Sequence, residues 1–158
     1  MRKRIIHQGT PATTAADDQD WLEVEHLVQV ELTSEDAGHP IESALIINTG
    51  SGWRAQQPGK QTIRLLFDKP RRISRIQLAF QEDERERTQE FVLRWSPGSG
   101  ASCREIVRQQ YNFSPPGMSR ELEDYVVDLD GLTMLELSII PDISGGGARA
   151  SLAQLRLA

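Results

Sequence analysis

SGWRAQQPGKQTIRLLFDKPRRISRIQLAF, residues 51–80, is the stretch on which the fold turns. Ile63, Leu65 and Phe67 alternate with Thr62, Arg64 and Leu66, and after Asp68-Lys69-Pro70 the pattern resumes, with Ile76, Leu78 and Phe80 against Arg75, Gln77 and Ala79. A side-chain period of two marks strands that bury one face. Asp, Lys and Pro between them predict a turn.

Working outward, Phe91, Leu93 and Trp95 repeat the pattern, as do Leu135, Leu137 and Ile139. Weaker strand signals cover Leu22–Thr33, Ser43–Ile47, Glu105–Phe113, Tyr125–Leu129 and Ser151–Leu157. The segments between them are rich in turn formers: residues 36–40, 48–52, 97–100, 115–117 and 145–147. No helical stripe runs for more than a few turns. Short alternating strands at such spacing predict an all-β, antiparallel sandwich or barrel.

At 158 residues the chain has the length of one domain. Residues 1–20 are polar and lack any apolar period, which predicts a loosely held tail ahead of a single domain over 21–158. The formal net charge of −5 argues against a nucleic-acid partner, whose phosphates call for a basic surface. Arg2-Lys3-Arg4 precedes too short an apolar run for a signal peptide, and no stretch is long enough for a membrane span. Cys103 stands alone, so no internal disulfide can form. These features predict a cytoplasmic location.

The order of strands and turns resembles the discoidin, or coagulation-factor type-C, superfamily of galactose-binding-like domains. The resemblance rests on VELTSEDAGHPIESAL, on residues 51–80, on EFVLRWSPGSG, on REIVRQQYNF and on the closing ASLAQLRLA, and it covers residues 21–158. It implies a jelly-roll β-sandwich of about eight main strands whose end loops bind a ligand, commonly a sugar, a phospholipid head group or a protein. Many members also hold a structural calcium ion. At the matching positions this chain has Asn48 where aspartate is frequent and Gln154 where glutamate is frequent, which implies at most a weak site, because calcium affinity follows ligand charge. No other cofactor is expected.

No catalytic pattern emerges. His7, His26 and His39 lack zinc spacing, with His26 read as a strand residue, and Ser99 lacks the surroundings of a nucleophile elbow. Glu82, Asp83, Glu84 and Glu86 alternate with Arg85 and Arg87, which reads as a self-neutralising exposed loop rather than a pair of tuned acids. Trp95 reads as core from its alternation with Phe91 and Leu93, and Trp21 as a cap at the entry of the first strand; Trp53 looks exposed by its Gly-Ser-Gly surroundings, where an aromatic face could stack on a sugar, while the family resemblance implies that it packs inside the sandwich. The chain is therefore expected to be a non-catalytic binding module for a carbohydrate or similar polar ligand, with a protein-interaction module or assembly subunit as the alternative. By analogy with the family the ligand face falls on the loops around Glu35 to His39, Trp53 to Gln56 and Glu82 to Arg87, extending to Asn112 to Met118. Its candidate contacts are His39, Arg54 and Arg85, with Glu35 and Asn112. Arg149, in the loop GGGARA, is a further donor able to fork to a carboxylate or to hydroxyls, but the face is expected away from residues 145–150.

Overall fold

A computed structural model describes residues 20–47, 50–98 and 102–158. The expected tail falls outside these residues except for Asp20, and so do His7, Asn48 and Ser99. Eight strands are described: β1 (Val28–Leu32), β2 (Trp53–Pro58), β3 (Gln61–Gln81), β4 (Arg87–Ser96), β5 (Arg104–Phe113), β6 (Arg120–Ile140), β7 (Arg149–Leu152) and β8 (Gln154–Leu157). All of their pairings are antiparallel.

β3 and β6 organise the whole. Each is 21 residues long and they pair along their length, with register shifts between Leu66 and Arg75. The first half of β3 joins β1 and the second half of β6, which passes on to β4 and β5. The second half of β3 joins β8 and the first half of β6. Bent at the register shifts, one sheet supplies two facing layers, and the β2–β7 ribbon completes the wall. The turn expected at Asp68-Lys69-Pro70 is thus a bulge inside one strand. Proline lacks the N–H a regular ladder needs, and a bulge is where a sheet tolerates it.

Between the layers the alternation closes a core of Ile63, Leu65, Ile76, Leu78, Phe80, Phe91, Leu93, Leu135, Leu137, Ile139, Leu155 and Leu157. Phe80 and Phe91 bring their ring centroids to 5.2 Å. Trp95 is buried, as its alternation predicts, and Trp53 is buried as the family resemblance implies rather than as its Gly-Ser-Gly surroundings suggest. Trp53 lies deeper, and its indole N–H donates to the Ser34 carbonyl at 3.1 Å. Trp21 is half-buried under the guanidinium groups of Arg75 and Arg156, both within 6 Å of its ring centre.

Two local expectations are corrected. Residues 43–47, expected as a strand, begin in a one-turn helix, α1 (Glu42–Leu45), because Ile41, Ala44 and Leu45 at helical spacing reach the core together. His26 belongs to a 3₁₀ turn over Val24–His26 and not to a strand. Its ring is exposed, 3.8 Å from Glu25, while Val24 is the residue that this turn buries.

The registers also place the loops. The end of β1, the starts of β2, β3 and β4, the ends of β3, β5 and β6, and the start of β8 all lie at one end of the sandwich. Residues 33–41, 82–86, 114–119 and 141–148 therefore gather there.

Candidate functional site

At that end an open cleft of about 220 Å³ is lined by His39, Ser51, Arg54, Gln81, Glu82, Asp83, Glu84, Arg149, Ser151 and Ala153. A contiguous hollow shares Arg54, Glu82, Glu84 and Arg149 with it and adds Arg85, Gly147 and Ala148.

One wall is built by backbone. The Asp36 N–H donates to the Arg54 carbonyl at 2.8 Å, and the Arg54 N–H donates to the His39 carbonyl at 3.2 Å, so the turn holding His39 is zipped to β2. The ring is oriented as well: His39 Nδ1 lies 2.8 Å from Asp36 Oδ2, and that hydrogen bond holds the Asp36 carboxyl below its usual range. With Nδ1 engaged, Nε2 is the nitrogen left for a ligand. β2 in turn pairs with β7, with Arg54 opposite Ser151, so Arg54 and Arg149 share the outward face of the ribbon. Trp53 and Ala55, on the opposite face, are buried, as are Ala150 and Leu152. The closeness of this corner explains Gly52: a Cβ there would come within 2.4 Å of the Leu152 carbonyl oxygen, and its φ of +85° is one that side-chain-bearing residues rarely adopt.

The other wall is the loop before β4, and Arg87 holds it. Its side chain is almost wholly buried; Nε donates to Glu82 Oε1 at 2.6 Å, Nη1 to the Pro141 carbonyl at 2.7 Å and to Gln89 Oε1 at 3.3 Å, and the guanidinium lies 4.6 Å from the centre of the Phe113 ring. Glu82 then accepts from the backbone N–H groups of Glu84 and Arg85 at 2.9 and 3.2 Å. Burial pushes the Glu82 carboxyl upward, but Arg87 and the two N–H groups outweigh it and leave it below its usual range. Asp83 to Glu86 are exposed, as expected of a charged loop, but the two ends of the run are not: the Glu82–Arg87 ion pair clamps it from inside. Because β4 begins at Arg87, the strand's alternation turns this side chain inward.

Behind Arg87 lies a second buried acid. Glu121 accepts from Gln89 Nε2 at 3.1 Å through Oε1, while its Oε2 is buried without a partner. Burial, reinforced by the Glu123 carboxylate, pushes the Glu121 carboxyl up to about 9. Raised above its value of about 4.3 in an unfolded chain, it holds a proton that the unfolded state releases. Its stabilising contribution is full in acid and is lost, as a downward slope of stability against pH, between about 5 and 9. Denaturant melts across this window should show that slope, and Glu121→Gln should abolish it. An unchanged slope in the variant would show Glu121 to be ionised throughout.

Of the five predicted contacts, His39 and Arg54 line the cleft and Arg85 lines its extension. Glu35 supports the wall rather than facing the cleft, accepting from the Ile41 N–H at 3.2 Å. Asn112 is separate: it stands on β5, not in a loop, accepts from the Thr88 hydroxyl at 2.6 Å and lines a second hollow with Asp142 and Ser144. Arg149, named as a donor but expected away from the face, lines the cleft as well, since the β2–β7 pairing brings residues 147–149 to it. Its signal was the Gly-rich turn with a single basic residue. At the calcium position Gln154 opens β8 opposite Ala79, and it supplies an amide oxygen rather than a carboxylate. Such a donor does not fit a tight calcium site. Among the described residues no group of three or more His, Cys, Asp or Glu side chains is arranged for a metal, and no helix is long and apolar enough to cross a membrane.

By sequence the chain matches no family model and no curated protein. Solved structures do match. The family 32 carbohydrate-binding module of NanJ from C. perfringens, in complex with galactose, aligns with a TM-score of 0.63 at 13% identity, over 87% of this chain and 96% of that one. A second such module, CpGH89CBM32-5 from Clostridium perfringens, in complex with GalNAc-β-1,3-galactose, gives 0.63 at 16% identity, over 87% and 99%. Reduced XRCC1 bound to the DNA pol beta catalytic domain gives 0.59 at 12% identity, over 84% and 96%. The chain has the galactose-binding-like, discoidin-type jelly-roll fold.

Proposed function

We propose that the chain is a non-catalytic carbohydrate-binding module whose ligand enters the cleft between the His39–Arg54–Arg149 wall and the Glu82–Arg85 loop. The observation that carries this reading is the pre-formed cleft at the loop end, where backbone hydrogen bonds and the buried Arg87–Glu82 pair fix polar side chains in an open space. Sugars need a few fixed donors and acceptors. The cleft offers guanidinium and imidazole donors on one side and carboxylate acceptors on the other. The sugar-bound neighbours support it.

A glycan array on the purified chain, followed by titration of any hit, tests this. The double variant His39→Ala, Arg54→Ala should weaken binding at least about tenfold, the loss of one or two charge-assisted hydrogen bonds, while its melting temperature stays close to that of the parent. Undiminished binding in that variant would remove the site from this cleft.

A second reading, a protein-interaction module, is favoured by the first half of β6. Its residues from Arg120 to Leu129 pair with β3 alone, and Leu122 and Val126 are exposed on it, Val126 at 88%. An unpaired edge with apolar side chains is a surface on which another strand can add. Native mass spectrometry of the chain with and without lysate separates the readings: a stoichiometric protein partner together with an empty glycan array selects the second.

A further inference from the structure

We infer that the sugar recognised in the cleft carries a carboxylate, held by Arg54 and Arg149; this deepens the carbohydrate-binding reading and rests on it. The argument begins with which charges are already engaged. Arg64, Arg72, Arg75, Arg87, Arg94 and Arg108 each lie within 4.0 Å of a carboxylate oxygen. Arg54 and Arg149 have no carboxylate within that distance, and neither do Arg71, Arg85, Arg104, Arg120 and Arg156 among the described residues; what sets Arg54 and Arg149 apart is that they stand together on one wall of the cleft, where Arg149 interacts only through longer-range charge with Asp36. They occupy the same face of one two-stranded ribbon, where neighbouring like charges repel. Acids are near at hand: Asp83 and Glu84 line the same cleft. No ion pair crosses from the arginines to them, so the two walls stand apart with the cleft between.

A cleft with Arg54 and Arg149 on one wall and Asp83 and Glu84, beside Arg85, on the other suits a ligand carrying an anion on one side and hydrogen-bond donors on the other. A uronic-acid type sugar has both: a planar carboxylate that matches the guanidinium fork, and hydroxyls that donate to Asp83 and Glu84. A neutral sugar can accept from the two guanidinium groups only through uncharged oxygens such as its hydroxyls, without the charge-assisted fork that a carboxylate provides.

The test uses galacturonate, glucuronate and mannuronate oligosaccharides, each beside its methyl ester, together with neutral and sulfated galacto-oligosaccharides, titrated by calorimetry at two salt concentrations. At least one uronate series should bind, with about a tenfold or greater loss on esterification, as expected for removing a charge-assisted contact. It should weaken with salt, and Arg149→Gln should lose the difference between acid and ester while still binding the ester. Equal binding of acid and ester, or preference for the neutral or sulfated sugars, overturns the carboxylate inference and leaves the carbohydrate reading standing. Binding of no saccharide of any kind overturns both. Thermal melts of Arg149→Gln keep the result interpretable, because this exposed side chain should leave the melting temperature unchanged.

Discussion

Arg87→Ala is expected to lower folding stability by about 3–5 kcal/mol, the range for stripping one partner from a buried ion pair. The size follows from what the substitution leaves behind. Glu82 keeps a carboxylate that is 11% exposed, Pro141 keeps a carbonyl and Gln89 an amide oxygen, and the face of Phe113 loses its cover. Arg87→Lys should recover only part of this, since one ammonium cannot serve the Glu82, Pro141 and Gln89 oxygens in the fixed geometry of a guanidinium. A useful contrast is Arg72→Ala. Arg72 and Asp128 lie at 2.9 Å but are 66% and 72% exposed, and loss of such a pair should cost less than about 1 kcal/mol. Chemical denaturation of the three variants gives the comparison. If Arg87→Ala and Arg72→Ala cost the same, Arg87 is not the clamp described. Because Arg87 touches the loops carrying Glu82 and Pro141 and the end of β5 at Phe113, the variant should also lose ligand affinity beyond what its stability change predicts.

Trp53→Ala should cost a similar amount, about 3–5 kcal/mol, through a cavity between the β2–β7 ribbon and the sheet. The side chain is 1% exposed, and the variant also strips the Ser34 carbonyl of its indole donor. For a chain of this length the melting temperature should fall by roughly 10 °C. Trp53→Phe separates the two contributions: it restores much of the volume but not the hydrogen bond, and should cost about 1–2 kcal/mol. A tryptophan presented to a ligand would behave otherwise, with lost binding and a stability change below about 1 kcal/mol. That outcome would place Trp53 outside the core.

Both side chains show what could be read from the sequence and what could not. Trp95 and the alternating Ile, Leu and Phe positions of β3, β4 and β6 were legible because a period of two needs no knowledge of the partner strand, whereas Trp53, following Gly50, Ser51 and Gly52, looked exposed and was turned inward only by the family resemblance. Arg87 was hidden among alternating charges. Its burial depends on Phe113 and Pro141, 26 and 54 residues away, so no local window contains the reason for it. Asp68-Lys69-Pro70 carried a true turn signal that the long pairing of β3 with β6 converts into a bulge. In the cleft, His39 and Arg54 could be nominated because loops of this fold gather at one end. Arg149 joins them only through the β2–β7 register, a tertiary fact.

The two 21-residue strands also govern how the chain comes to be folded. β3 pairs with residues 120–139 and 154–157, and β4 with residues 134–140, so most of the inter-strand pairing of the central sheet, all but β1–β3 and β4–β5, waits for the last quarter of the chain. Closing such distant contacts costs entropy before it returns any stability, which places folding in the slow, millisecond-to-second class of β-sandwiches. A chain cut before β6 can pair β1 with β3 and close the β4–β5 hairpin but lacks the strand that joins them, so truncation within β6 is expected to leave the core open, which rapid proteolysis of the truncated chain would show.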